Sequence, residues 1–483
     1  MPLPVEGFRI TETNVRAIGK RRQLFVDDTL IDALMGTARL QLHRPVAREI
    51  VLVHDAPWEG NTCAYATIFQ APGGEYRMVY RGSGTRQAWN ASQQTPEPAH
   101  RPVVCLAESS DGVHWTKPNL DLVSFAGSTS NNILWDGVGS HNFTPFYDTN
   151  PGCSPEARYK AVGGLLTEGG LFAFQSPDGR HWQQRQSAPI ITQGTFDSQN
   201  TAFWHADQGV YRAYIRDFRK PDGTGGDFTG IRDIKTCTSP DFVHWSDPTW
   251  LAYRAPRLAR GPDQPLVETH LYTNQVMPHP RAPHILLGLP TRFHPEREGL
   301  TEAILMASRD GQTFSRWDQA LLPPGPSSHR WHNRSNYVWW GMLETPSALP
   351  DAEPEISLYA NEHYSKSGPG RIRRYTLRRD GFVSVRAELC GGQVLTPPLT
   401  FEGSHLTLNV ATSAAGDVRV GIERPDGHPV PGLAIEECRP FYGDTTAHTV
   451  TWRQSADLGT INGTTVRLRI ALRDADLYAL QFR

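Results

Sequence analysis

Four carboxylates stand at comparable places along this chain: Glu59, Asp197, Asp217 and Glu362. Three arginines keep them company, Arg81, Arg216 and Arg292. Two carboxyl groups facing one bond, one ionised and one protonated, are what acid–base cleavage of a glycosidic acetal requires. Asp197, set between Phe196 and Ser198, is the choice for the ionised member, with Glu59 as the residue able to exchange roles with it. Glu362, followed by His363-Tyr364, has the longer side chain that suits the proton donor. Asp217, next to Arg216, would stay charged and stabilise positive charge at the reacting carbon. The arginines admit two readings. They pair with the acids and set their pKa values, which is preferred, or they clamp a carboxylate or sulfate through fork-shaped hydrogen bonds.

A repeat must position these groups. Ser109-Ser110-Asp111-Gly112-Val113-His114-Trp115 returns as Ser176-Pro177-Asp178-Gly179-Arg180-His181-Trp182 and as Ser239-Pro240-Asp241-Phe242-Val243-His244-Trp245. Weaker copies follow at Ser308-Arg309-Asp310-Gly311, with Trp317 displaced, and at Arg379-Asp380-Gly381-Phe382. The aspartates are spaced by 67, 63, 69 and 70 residues. A fixed period with a turn signal and a packing tryptophan marks a repeat architecture, and a unit this long holds the four short strands of one propeller blade. Five copies predict five blades. In the first, Cys63–Gln70, Glu75–Tyr80 and Val103–Glu108 alternate apolar and polar residues, and the outer strand starts at His114-Trp115. Asp111, Asp178 and Asp241 are expected to be turn residues, and the histidines beside them are not a metal triad.

In a propeller the entrances of the inner strands share one funnel. Glu59, His141, Asn142, Asp197, Gln199, Asn200, His270, Tyr272, Asn274 and Asn336 fall there. Nearly all can hydrogen-bond, which suits the many hydroxyls of a sugar. The competing reading is a water-filled axial channel. The ends of the second strands form a further ring with Arg81, Arg216-Asp217, Arg292 and Glu362.

Composition agrees with a loop-rich all-β chain: 43 Gly and 38 Pro in 483 residues, with 10% aromatics. A net charge of -2 gives no reason to expect nucleic acid or an acidic membrane surface as partner. No apolar run reaches the ~18 residues of a membrane span, and no basic-then-apolar leader opens the sequence. A cytoplasmic protein with six reduced, mostly buried cysteines is the expectation, with secretion left open should a signal have been removed. No cofactor or metal is expected.

The repeat ends near residue 390, where Gly391-Gly392 and Pro397-Pro398 mark a joint. Short alternating runs follow. The predicted organisation is an N-terminal segment over 1–44 whose Leu24–Asp28 strand closes the ring or lines its axis, a five-bladed β-propeller over 45–390, and a β-sandwich over 391–483. This layout resembles glycoside hydrolase families 32 and 68, and its propeller resembles family 43. Arg216-Asp217-Phe218 is similar to the Arg-Asp-Pro phrase of family 32, and Glu437-Cys438 is a lookalike of that family's acid motif, placed in the sandwich. Trp58-Glu59-Gly60-Asn61 stands where that family has its nucleophile phrase. Leu24–Asp28, Asp197–Asn200 and Tyr359–Glu362 look like a family-32-like bacterial group. The resemblance implies a glycosidase for furanosides, such as fructofuranosides or arabinofuranosides, with an oligosaccharide or glycoside as partner. Alternatives are a hydrolase of an anionic sugar, a glycoside phosphorylase, or a non-catalytic carbohydrate-binding propeller.

Overall fold

The computed structural model describes residues 15–88, 96–256, 266–453 and 455–483. They form two compact units, one from the described residues of 44–255 and 265–377, the other from those of 1–43 and 378–483. Strands dominate both; among the described residues the only helical pieces are three-residue 3-10 turns.

The first unit is a β-propeller arrangement. Its first sheet holds Ala64–Gln70, Tyr76–Gly82, Val103–Ser109 and Ile133–Trp135 in sequence order. The next two are Thr144–Tyr147 through Gln183–Gln184 and Thr201–His205 through Thr249–Trp250. The sheet of the last repeat takes Leu343–Thr345, Glu355–Glu362 and Arg371–Arg378, and its outer strand is Val46–Val53. The ring is therefore closed by residues 46–53, antiparallel to Arg371–Arg378, and not by Leu24–Asp28.

The fourth repeat departs from the expected pattern. Four sheets have four strands, whereas this repeat lies in a sheet of seven. The reason is Pro290. Lacking an N–H, it interrupts the second strand after Gly288. The chain resumes as Thr291–His294, pairing with His270–Leu271 as well as Leu300–Ser308. Ala252–Arg254 adds a parallel edge strand against Thr313–Leu322.

The Ser-x-Asp turns latch one sheet to another. In the second copy Ser176 Oγ accepts from Gly179 N at 2.8 Å, and Asp178 Oδ1 accepts from the N–H groups of Arg180 and His181 at 2.8 and 2.9 Å. Asp178 Oδ2 lies 2.7 Å from His181 Nδ1, and Trp182 donates to Gly179 O. The first, third and fourth copies repeat the aspartate cradle. Across the sheets, Tyr359 donates to Gly112 O, Arg77 to Asp178 O and Tyr214 to Gly311 O. Gly112 and Gly179 have φ of +74° and +73°, and an added Cβ would strike Tyr359 of the neighbouring sheet at 3.0 Å in the first case and Arg77 of the neighbouring sheet at 2.7 Å in the second. Glycine is required there by both conformation and space. The fifth copy differs: Asp380 belongs to the other unit, buried against Arg22.

The second unit holds a hydrogen-bonded sheet of eight strands and a parallel pair, Arg16–Gly19 with Leu399–Phe401. Leu406–Glu423 and Arg467–Phe482 pair along their lengths, with register shifts at Asn409/Val410 and Thr412/Asp417. Three N-terminal strands join them: Gln23–Leu24, Ala33–Gly36 and Arg39–Leu42. Leu24 pairs with Ala479.

Candidate functional site

The inner-strand entrances are held by asparagines that work inwards. Asn142 Nδ2 donates to the carbonyls of Gly164, Phe196 and Ser198, and its Oδ1 accepts from Gly164 N. Asn200 donates to the Phe196 and Ser198 carbonyls and accepts from Arg216 N. Asn274 ties Gln199 O to Tyr214 O, and Asn336 ties Thr301 O to Arg330 O while accepting from Arg330 Nε. Gln199 fills the axis, donating to Ala66 O and Thr67 Oγ1 and accepting from Gln275. These residues are buried and satisfied. They act as staples of the entrance turns. Buried backbone groups in irregular turns need partners, which is why polar residues recur there.

Asp197 is what the staples present. Phe196 sits in the left-handed region at φ +56°, its carbonyl gripped by Asn142 and Asn200. Its neighbours are buried, yet the Asp197 side chain is 40% exposed. Its oxygens lie 3.5 Å from His141 Nε2 and 3.7 Å from Arg216 Nη2. Burial raises its pKa, but the His141 contact and the charges of Arg216 and Arg334 outweigh that and leave it lowered. His141 is pushed the other way, chiefly by burial and then by Arg81, so its pKa is lowered and the imidazole is neutral at neutral pH. Arg81 lies within 3.1–3.3 Å of both ring nitrogens, donates to Thr62 O and Tyr364 Oη, and stacks on Tyr65 at 4.7 Å.

The other three candidate acids are each neutralised elsewhere. Glu59 is fully buried, 2.6 Å from Lys117 Nζ, and accepts from Tyr80 Oη at 2.5 Å. Asp217 points to the opposite side of its strand from Arg216, 2.8 Å from Lys235. Glu362 meets Arg373 at 2.6 Å, Arg371 at 3.2 Å and Arg330 at 3.8 Å. Burial pushes the Glu362 pKa up, yet Arg373, with Arg330 and Arg371 behind it, brings it below the usual glutamate value. It is a poor proton donor, contrary to expectation. Arg292 is bound to Glu302 at 2.5 Å and to Asp318 O. The expected grouping of Asp197, Asp217 and Glu362 with Arg81, Arg216 and Arg292 reduces to Asp197, Arg81 and Arg216.

Sequence reasoning missed Arg232 and Arg334. With Arg216 they surround Tyr272, their guanidinium carbons 5.0 Å (Arg216), 5.3 Å (Arg232) and 5.7 Å (Arg334) from its ring centre. Arg216 and Arg232 also stack on Phe218, and Arg232 on Phe293. His270 Nδ1 accepts from Arg232 N, which makes His270 a support for this arginine. Tyr65, Tyr337 and Trp339 complete an aromatic wall. Arg334 and Asn336 have φ of +56° and +68°, and such outliers collect where geometry serves a site. The only sequence signal was the phrase His332-Asn333-Arg334-Ser335-Asn336, whose asparagines drew attention from the arginine between them.

A cavity of about 600 Å³ opens at the other ends of the same inner strands, lined by Phe69, Phe146, Trp204, Met277 and Trp340. It is mostly apolar and has no arginine in its wall, so the charged chemistry belongs to the entrance side.

No family model matches this chain, and no curated protein does. Solved structures resembling it include a family-43 arabinoxylan arabinofuranohydrolase from Bacillus subtilis, 12% identical, with 91% of this chain and 99% of that one covered at a TM-score of 0.41. A thermostable family-43 glycoside hydrolase is 12% identical over 72% and 96% of the two chains, with a TM-score of 0.43. An N-acetylgalactosamine deacetylase from F. plautii is 13% identical over 71% and 96%, also at 0.43. Likeness at this distance assigns neither an activity nor a residue.

Proposed function

We propose that this chain is a glycosidase whose reacting centre is Asp197, on a ring in which the seven-stranded sheet takes the place of a fifth blade. One observation carries the reading. Among the four candidate acids, Asp197 alone is solvent-accessible, and its nearest guanidinium nitrogen is 3.7 Å away, against 2.6–2.8 Å to a cation for the others. It is ionised and stapled in place by the asparagines of the entrance turns.

Asp197 either bonds the anomeric carbon or takes the proton of an attacking water, and its charge stabilises the positive character of that carbon. His141 orients it. A neutral imidazole has one N–H, which His141 directs at Asp197, so the departing oxygen takes its proton from water. Furanosides are the first substrates to test, following the resemblance of the propeller. The test is a panel of nitrophenyl furanosides, pyranosides and uronides, with and without inorganic phosphate. Asp197→Asn should lower turnover by ~10²-fold or more at unchanged folding. Full activity in that variant defeats the proposal, and sugar release that requires phosphate replaces hydrolysis by phosphorolysis.

A further inference from the structure

We propose that the sugar bound here carries an oxyanion, a uronic carboxylate or a sulfate ester, and that Arg216, Arg232 and Arg334 receive it beside Tyr272. The inference rests on the glycosidase reading for its location and adds the class of substrate.

Its basis is unmatched positive charge. Among the described residues, Arg232 and Arg334 have no carboxylate within ion-pair distance, and Arg216 has only Asp197 at 3.7 Å. Other arginines of the same unit are served: Arg219 by Asp233, Arg292 by Glu302, Arg316 by Asp318 and Arg373 by Glu362. Burial, and the like charges of Arg216 and Arg334, bring the Arg232 pKa below its ordinary value. Three guanidinium groups around one ring repel each other, and in a partly dehydrated pocket that repulsion is weakly screened.

Stacking does not account for the arrangement. A guanidinium lying on an aromatic ring offers its flat face, while its N–H donors point outward in its own plane. Those donors are where the gap lies. Arg216 is 1% exposed and its Nη1 has no acceptor; the buried Nε atoms of Arg232 and Arg334 lack one too. Buried donors are rarely left empty. An oxyanion with two or three acceptor oxygens would give guanidinium donors partners and cancel part of the charge. Arg81, on Tyr65, stays with His141, and Arg216 joins the anion seat to Asp197, so the reacting centre and the seat are adjacent.

The test measures binding and cleavage separately. By calorimetry, wild-type protein should bind galacturonate or galactose 6-sulfate at least ~10-fold more tightly than galactose, and the preferred one of the two identifies the anion. The preference should weaken with salt. Arg232→Gln and Arg334→Gln should each reduce it by ~10-fold or more, and the loss in kcat/KM on the anionic nitrophenyl glycoside should exceed that on its neutral counterpart by the same factor. Two variants are used so that a folding defect in one leaves the other to decide. Equal affinity for charged and neutral sugars, or none measurable for the charged pair, overturns the inference, as does an equal loss on both substrates. Cleavage of neutral glycosides without anion preference leaves the glycosidase reading standing alone. Anion-selective binding without any cleavage leaves only the seat.

Discussion

Glu362→Gln separates a structural acid from a catalytic one. The wild-type carboxylate is 2% exposed and lies among Arg330, Arg371, Arg373 and Tyr375. Removing its charge leaves three cations without their shared counterion. Breaking a buried pair from one side costs about 3–5 kcal/mol. The propeller unit spans roughly 325 residues, and at about 2.1 cal/mol/K per residue its unfolding entropy is about 0.7 kcal/mol/K. The melting temperature of that unit should therefore fall by about 4–7 °C. The sign with pH follows from the lowered pKa. A carboxylate stabilised in the folded state contributes fully above its unfolded pKa of about 4.3, and the contribution disappears as pH falls through the folded value. The gap between wild type and variant should be constant from about pH 5.5 to 8 and close below about pH 4. Calorimetric melts across that range, with turnover per folded molecule measured alongside, decide the matter. A variant that melts like wild type but loses turnover would refute the argument and return Glu362 to the reacting centre.

Asp178→Asn keeps the two backbone contacts but weakens the His181 one, so we expect a melting temperature lower by a few degrees and turnover per folded molecule nearly intact; lost activity in a folded variant would promote the Ser-x-Asp turn to the site. With His141 lowered from its ordinary pKa by burial and Arg81, kcat/KM should be flat from about pH 6.5 to 8 and decline only below that, and His141→Gln should remove this acid limb. An acid limb that persists in His141→Gln would assign it to another group. Lys117→Met strands the fully buried Glu59 carboxylate, for an expected loss of about 3–5 kcal/mol in urea unfolding; a stability change within ~0.5 kcal/mol would show that Glu59 is not held by this pair.

What the sequence by itself determined is the part built from local hydrogen bonds. The Ser-x-Asp-Gly-x-His-Trp phrase closes a turn with partners two and three residues away, so its chemistry and its period were visible in the sequence alone, and with them the all-β propeller arrangement. The same locality exposed Asp197, because Asp197-Ser198-Gln199-Asn200 marks an entrance turn. Long-range partners decided the rest. Glu59 is disarmed by a lysine 58 residues away, and Glu362 by Arg330, Arg371 and Arg373. Val46–Val53 closes the ring with strand Arg371–Arg378. Arg216, Arg232 and Arg334 come from three separate segments to one tyrosine of a fourth. A sequence displays which residues can carry charge. Which charges are cancelled depends on distances of a few ångströms between segments far apart in the chain, and only the folded sheets set those.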